Sequence, residues 1–150
     1  MASSASPLPR ILGLDVGSKT IGMAVSDPLG ITAQGLETLR RKSKRTDLEA
    51  LRAVIQKYGV AEIVVGYPLH MSGNAGAQSQ RMAEFAELLR EQFRLPVHLW
   101  DERLTTAQAN RVLREAELSI QQRRAAVDRM AAVLILQSFI EARSLPSESP

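Results

Sequence analysis

Two short, nearly continuous apolar runs, each preceded by a helix-length amphipathic segment, constrain this chain more than any other feature. Glu62-Ile63-Val64-Val65-Gly66 and Val97-His98-Leu99-Trp100 have the pattern of strands covered on both faces, and a strand that follows a helix in this way is joined to an earlier parallel strand by a crossover. Ahead of the first run, Thr46 with Glu49 reads as a capping box, and Leu48, Leu51, Val54 and Ile55 supply a helical stripe to about Tyr58. Gly59 stops that helix. A second helix is expected from about Ala77 to Phe93, with Pro96 breaking the chain before the second run.

The start of the chain reads differently. A strand over residues 10 to 16 is followed by Gly17-Ser18-Lys19-Thr20 and a second strand, Ile21 to Ser26, in which Ile21, Met23 and Val25 alternate with smaller residues. Asp27-Pro28-Leu29-Gly30 has the chemistry of a tight turn, so Ile31 to Leu39 is expected to return as a third, antiparallel strand. At the other end, Thr105 with Gln108 caps a helix through Ala116, and Ser119 with Gln122 caps a last helix to about Ala142. The expected fold is α/β: a mixed five-stranded sheet, antiparallel over its first three strands and then parallel, with helices on both faces. One domain over residues 10 to 143 accounts for the 150 residues, and the Ser- and Pro-rich stretches 1–9 and 144–150 read as disordered tails.

Three acidic residues lie where a lone charge is costly. Asp15 ends the apolar run Ile11-Leu12-Gly13-Leu14, and Glu102, with Asp101, follows the run ending at Trp100, at a strand end of the kind that borders ligand sites in α/β sheets. Asp128 shares a 3.6-residue stripe with Arg124, Ala131, Ala132, Ile135 and Phe139. Brought together, the three would raise at least one pKa unless divalent cations lay between them, and oxygen ligands of this kind suit magnesium or manganese. At the level of spacing, a plainer reading stays open: an N-cap, a surface strand end and a salt-bridged helix acid.

Composition removes other chemistries. With no cysteine there are no disulfides, no thiolate catalysis and no cysteine-bound zinc, and two histidines are too few for most imidazole-rich metal sites. The small, polar start Met1-Ala2-Ser3-Ser4-Ala5-Ser6-Pro7 does not read as a charged-then-apolar leader, and no apolar run approaches the length of about eighteen residues that a membrane span needs. The chain therefore reads as cytoplasmic. A net charge of +3 and a pI near 9.7 favour a polyanionic partner. Arg40, Arg41, Lys42, Lys44 and Arg45 concentrate positive charge on one loop, and Lys19, Arg103 and Arg124 are further candidates for phosphate contact. Each has an alternative as a solvated or internally paired residue. Aromatic side chains are too scarce for a base-stacking platform.

Four blocks taken together carry a family resemblance. Gly13-Leu14-Asp15-Val16-Gly17-Ser18-Lys19-Thr20-Ile21-Gly22-Met23-Ala24-Val25-Ser26-Asp27 is followed by Gly66-Tyr67-Pro68-Leu69 with Gly73. Asp101-Glu102-Arg103-Leu104-Thr105-Thr106 comes next, and Asp128 with Ala131-Ala132 and Ile135-Leu136-Gln137 completes the set. In this order they resemble the YqgF family, also called RuvX, which is associated with Holliday junction resolution and pre-16S ribosomal RNA processing. The resemblance covers about residues 10 to 143 and implies a ribonuclease H-like fold. It also implies divalent-metal hydrolysis of phosphodiesters, with Asp15, Glu102 and Asp128 as catalytic acids and metal ligands. Thr20 stands where members often have Arg, Tyr67 where Leu is common, and Arg123 and Arg124 where Lys is frequent. These departures bear on substrate contact rather than on the chemistry.

For that chemistry two metal ions roughly 4 Å apart would activate water and stabilise the leaving oxygen, with Asp15 as the bridging ligand. Gly13 and Gly17 would allow close approach to metal or phosphate, although a tight turn explains Gly17 equally well. The segment from Tyr67 through His70 and Gly73 follows a strand end and is a candidate lid; His98 and Trp100 read as packing residues. The expected partner is nucleic acid, structured RNA or branched DNA, met by a monomer or a homodimer. Processing of the pre-16S rRNA 5' end is the leading reading, and junction resolution by a two-fold dimer is its rival. A non-catalytic adaptor would be expected to lose one of the acids. An ATPase of the actin and sugar-kinase type would need a second lobe that this chain is too short to hold.

Overall fold

In the computed structural model, which describes residues 9–67, 75–101 and 120–144, the apolar alternation becomes one sheet. The strands are β1 (Arg10–Val16), β2 (Thr20–Ser26), β3 (Ala33–Gly35), β4 (Leu39–Arg40), β5 (Val60–Tyr67) and β6 (Val97–Asp101). The helices are α1 (Lys44–Tyr58), α2 (Ala75–Phe93) and α3 (Ile120–Ser144). The strand order is β3-β2-β1-β5-β6, with β4 also paired to β2. β1 is antiparallel to β2 and parallel to β5, which is parallel to β6. This is the expected mixed sheet with β1 at its centre.

Successive residues of a strand face opposite ways, and the helices divide accordingly. Leu12, Leu14, Met23, Val25, Ile63 and Val65 pack with Leu51 of α1 and Ala86 and Leu89 of α2. On the other face Ile11, Ala24 and Val64 pack with Ala132, Ile135, Leu136, Phe139 and Ile140 of α3. Both faces are dry, which is why β1 and β5 read as almost continuous apolar runs.

Two expectations need correction. The third strand is broken into β3 and β4, and the register against β2 advances by one residue between Ala24↔Gly35 and Ile21↔Leu39. The extra residue is a bulge, and it brings Leu36 and Leu39, which strict alternation would place on opposite faces, against the same core. Helix α1 is capped by Ser43 rather than Thr46: the Ser43 hydroxyl accepts the Thr46 N–H at 3.1 Å, and the helix begins at Lys44. Gly59 ends it as expected, in the left-handed region at φ 64.

Helix α2 starts at Ala75, two residues before the expected Ala77. The expected helix from Thr105 to Ala116 and nearly all of both expected tails lie outside the described residues. Among the described residues no helix is long and apolar enough to cross a membrane.

Candidate active site

Parallel strands share an edge, and the carboxyl ends of β1, β5 and β6 meet there. Asp15 is the penultimate residue of β1, half-buried above the fully buried Leu14. Tyr67 ends β5 opposite Asp101, which ends β6. Glu102 is the next residue in the chain and lies outside the described residues.

Asp15 has the same strand parity as Ile11 and Gly13, so it belongs to the face covered by α3. The seat of α3 on that face is set by Gly13. A methyl group built on Gly13 would meet Leu136 Cβ at 2.8 Å and the Ala132 carbonyl oxygen at 3.3 Å, so only glycine lets the helix come this close. Gly66 lies beneath Ile135, whose side chain fills the space that a Cβ there would take. The approach to metal or phosphate expected of Gly13 is thus replaced by an approach to a helix.

The direction of α3 follows from its contacts. Arg143 bonds to Glu62 near the start of β5, whereas Ile135 lies over Gly66 near its end. The helix therefore runs antiparallel to β5 and β1. From Leu136 back to Asp128 it rises about 12 Å, and from Gly13 to Asp15 the strand advances about 7 Å. On that reckoning residue 128 lies roughly 5 Å beyond the level of Asp15 along the axis of β1, at the same edge. Asp128 is placed here by its helix backbone.

The basic loop borders this edge as well. β4 pairs with the start of β2 through Thr20↔Arg40, so Arg40, Lys42, Lys44 and Arg45 lie exposed beside the turn that follows Asp15, as does Lys19 within it. Arg45 pairs with Glu49 at 3.5 Å in a fully solvated contact. Arg41 differs from its neighbours: its guanidinium bonds to the buried Asp47 and donates to the Gly17 carbonyl at 2.8 Å. Gly17 itself donates its N–H to the Thr20 carbonyl, which supports the tight-turn reading. Arg124 lies on the first turns of α3, and Arg103, His70 and Gly73 fall outside the described residues. Among the described residues no three His, Asp or Glu side chains form a cluster able to hold a metal.

Away from this edge the titration of three described groups is shifted. Glu62 is held below the usual carboxylate range, first by its hydrogen bond to Arg143, with burial opposing and His98 assisting. Arg143 is raised in turn by Glu62. His98 Nε2 is 2.5 Å from Glu62, and its ring lies 5.2 Å from that of Phe139, which also meets Trp100 edge-on. This cluster pins the carboxyl end of α3 to the sheet, so His98 and Trp100 are packing residues, as expected. At the β2–β3 turn Asp27 is lowered chiefly by the Ile31 N–H. Sequence reasoning missed both Glu62 and Asp47. An acid at the start of a strand or in the first turn of a helix looks like any solvated carboxylate until its partners are seen.

Comparison with known proteins agrees with this geometry. Residues 9–142 match the family described as "RuvX: Holliday junction resolvase". A relative from Koribacter versatilis, named "Putative pre-16S rRNA nuclease", is 60% identical over 141 residues, covering 94% of this chain and 92% of its own. One of the same name from Moorella thermoacetica is 53% identical, covering 88% and 94%. Among solved structures, RuvC of T. thermophilus in complex with a Holliday junction substrate superposes with a TM-score of 0.54 at 15% identity, over 90% of this chain and 95% of that one. The Fowlpox virus resolvase bound to Holliday junction DNA gives 0.53 at 14%, over 91% and 99%. At such identities these likenesses speak to the fold alone, a ribonuclease H-like one. With nearly its whole length matched to the family and to relatives of this identity, the chain belongs to the RuvX family.

Proposed function

We propose that this protein is a divalent-metal-dependent endonuclease acting on structured nucleic acid in the cytoplasm, and that its substrate is the 5' end of pre-16S rRNA. Asp15, Glu102 and Asp128 are the catalytic acids in this reading. The observation that carries it is the antiparallel seat of α3 on Gly13, which directs residue 128 toward the edge where Asp15 stands. β6 ends at that same edge with Asp101, the residue before Glu102 in the sequence.

The donor set fits hard cations. Asp15 offers carboxylate oxygen from a rigid strand end, cysteine is absent, and the other two candidates are also carboxylates. Bound magnesium or manganese ions, two in this reading, would supply an activated water and neutralise charge on the leaving oxygen. The chain's own part is to hold those oxygens in place and orient the phosphate. Asp15 is fixed by the ladder pairing of β1 with Gly22 of β2. Lys19, Lys42, Lys44 and Arg45, exposed beside it, are the proposed contacts to the nucleic-acid backbone, with Arg41, Arg103 and Arg124 as further candidates. Tyr67, His70 and Gly73 are proposed to form a lid.

The names of the nearer relatives favour ribosomal RNA. The family description favours a four-way DNA junction, which a two-fold dimer would cut symmetrically, whereas an RNA processor can act as a monomer. Labelled structured RNA and a four-way DNA junction, incubated side by side with magnesium or manganese, separate these readings. RNA cutting that vanishes in Asp15→Asn supports the proposal. Cutting of the junction alone selects the resolvase, and binding without cutting of either would leave a nucleic-acid-binding adaptor.

A further inference from the structure

The acid-bearing end of β1 is held from the opposite face of the sheet. Asp15 belongs to the α3 face, while Arg41 approaches from the side of α1 and α2, its guanidinium carbon 5.7 Å from the centre of the Phe85 ring. Arg41 grips both sides of the Gly17–Thr20 turn: its backbone N–H donates to the Lys19 carbonyl at 2.8 Å, and its side chain donates to the Gly17 carbonyl at 2.8 Å. Asp47 in turn fixes Arg41, accepting from its Nε at 3.2 Å and from the Lys42 N–H at 3.0 Å. Asp47 is only 2% exposed, whereas the Arg41 side chain retains 27%.

A buried carboxylate reaching back from a helix to a single arginine is expensive unless both are held, and here each supplies the other's partner. The turn so clamped begins two residues after Asp15. Within it Gly17, Ser18 and Lys19 are exposed, so the grip on its backbone comes from Arg41.

We propose that Asp47 and Arg41 are positioning residues for the nuclease site: acting as one unit, they fix the Gly17–Thr20 turn and through it the set of the Asp15 carboxylate. The inference rests on the nuclease reading above. It gives Arg41 a different role from its exposed neighbours, since two of its side-chain donors, on Nε and Nη1, are committed to Asp47 and the Gly17 carbonyl. Asp47, being buried, cannot touch a substrate, which makes it the discriminating residue.

The test compares Asp47→Asn, Arg41→Lys and Arg41→Ala in the full chain, with Asp15→Asn as the inactive control. Cleavage constants, their salt dependence and amide hydrogen exchange at Gly17 and Arg41 are measured together. Asp47→Asn keeps an acceptor for the Lys42 N–H and the shape of the side chain, so the fold should survive, as unchanged exchange at Leu12 and Leu14 would report. The expected result is faster exchange at Gly17 and a fall in kcat of about ten- to a hundredfold at nearly constant KM, the scale of a sub-ångström to ångström misplacement. Arg41→Lys should recover part of what Arg41→Ala loses, and the double variant Asp47→Asn/Arg41→Ala should be no worse than Arg41→Ala. Unchanged Gly17 exchange in Asp47→Asn overturns the clamp whatever the activity. A rise in KM with a shallower salt slope in Arg41→Ala, and wild-type kinetics in Asp47→Asn, would make Arg41 a phosphate contact instead. A wild-type chain that cuts neither RNA nor junction overturns the nuclease reading, and the catalytic part of this proposal with it, while the exchange rates still report on the clamp.

Discussion

Replacing Gly13 by alanine should cost activity out of proportion to stability. The new methyl would stand 2.8 Å from Leu136 Cβ, so the helix must withdraw by about 0.6 Å to reach the 3.4 Å limit of ordinary contact. It cannot be relieved by a side-chain rotation, because the colliding atom is a Cβ and the next neighbour is the Ala132 carbonyl. Overpacking of this kind costs about 1–3 kcal/mol, and loss of glycine's freedom in the unfolded chain returns about 0.4–1 kcal/mol. The net is a destabilisation of about 1.3 kcal/mol, or a fall in Tm of roughly 3–5 °C for a chain of this length. The lone tryptophan, Trp100, bonds to Ser138 of α3 at 3.1 Å and so reports the seat of the helix in a urea titration followed by fluorescence. Because the same withdrawal moves Asp128 relative to Asp15, kcat should fall about tenfold or more. Gly66→Ala is the matched control: its methyl crowds the Ile135 side chain, at Cδ1 and at Cγ1 (3.2 Å), rather than the backbone or Cβ of α3, and Ile135→Val, which deletes Cδ1, should remove most of the conflict. Leu136→Ala should rescue nothing, as it keeps the Cβ. A Gly13→Ala protein with wild-type stability and wild-type cutting would refute the argument that α3 is seated by this contact.

Further expectations concern the fold that carries the site. Because Glu62 titrates below its ordinary value, its contribution to stability is fully present above the unfolded pKa of about 4.3 and is lost as pH falls through the lower folded value. The stability difference between wild type and Glu62→Gln should therefore shrink as pH falls below about 5, as urea unfolding at successive pH values would read; a difference that grows over that range contradicts the Arg143 pairing. Gly59→Ala should lower stability by about 1–2 kcal/mol from backbone strain alone, since nothing lies within 4 Å of the added methyl and φ is 64. Gly59→Asn should cost less, and a neutral Gly59→Ala in thermal melts would count against the left-handed cap.

The sheet was legible because β1, β5 and β6 are covered on both faces, and that burial writes itself into the sequence as apolar runs. The bulge between β3 and β4 was not, since Leu36 and Leu39 satisfy a strand pattern until the register against β2 is known. Thr46 and Glu49 matched a capping box, yet Ser43 took the cap because Asp47 folds back to the Lys42 N–H and draws the helix start forward. Of the candidate site, Asp15 stood out as a charge on a buried strand, and the orientation that relates it to position 128 came only from Gly13, Gly66 and Glu62 touching α3. The basic loop was read as one cluster; Arg41 leaves that cluster because a buried partner, invisible to spacing, claims it.

Asp15, Glu102 and Asp128 are proposed to form one metal-holding site. The most direct test is the rate of RNA cleavage by Asp15→Asn, Glu102→Gln, Asp128→Asn and the triple variant, under saturating manganese. Each single change should lower kcat by at least about a hundredfold, and the triple change should be hardly worse than the most damaging single one, as for groups that act as a unit. A Glu102→Gln or Asp128→Asn enzyme that cuts at the wild-type rate would contradict that proposal.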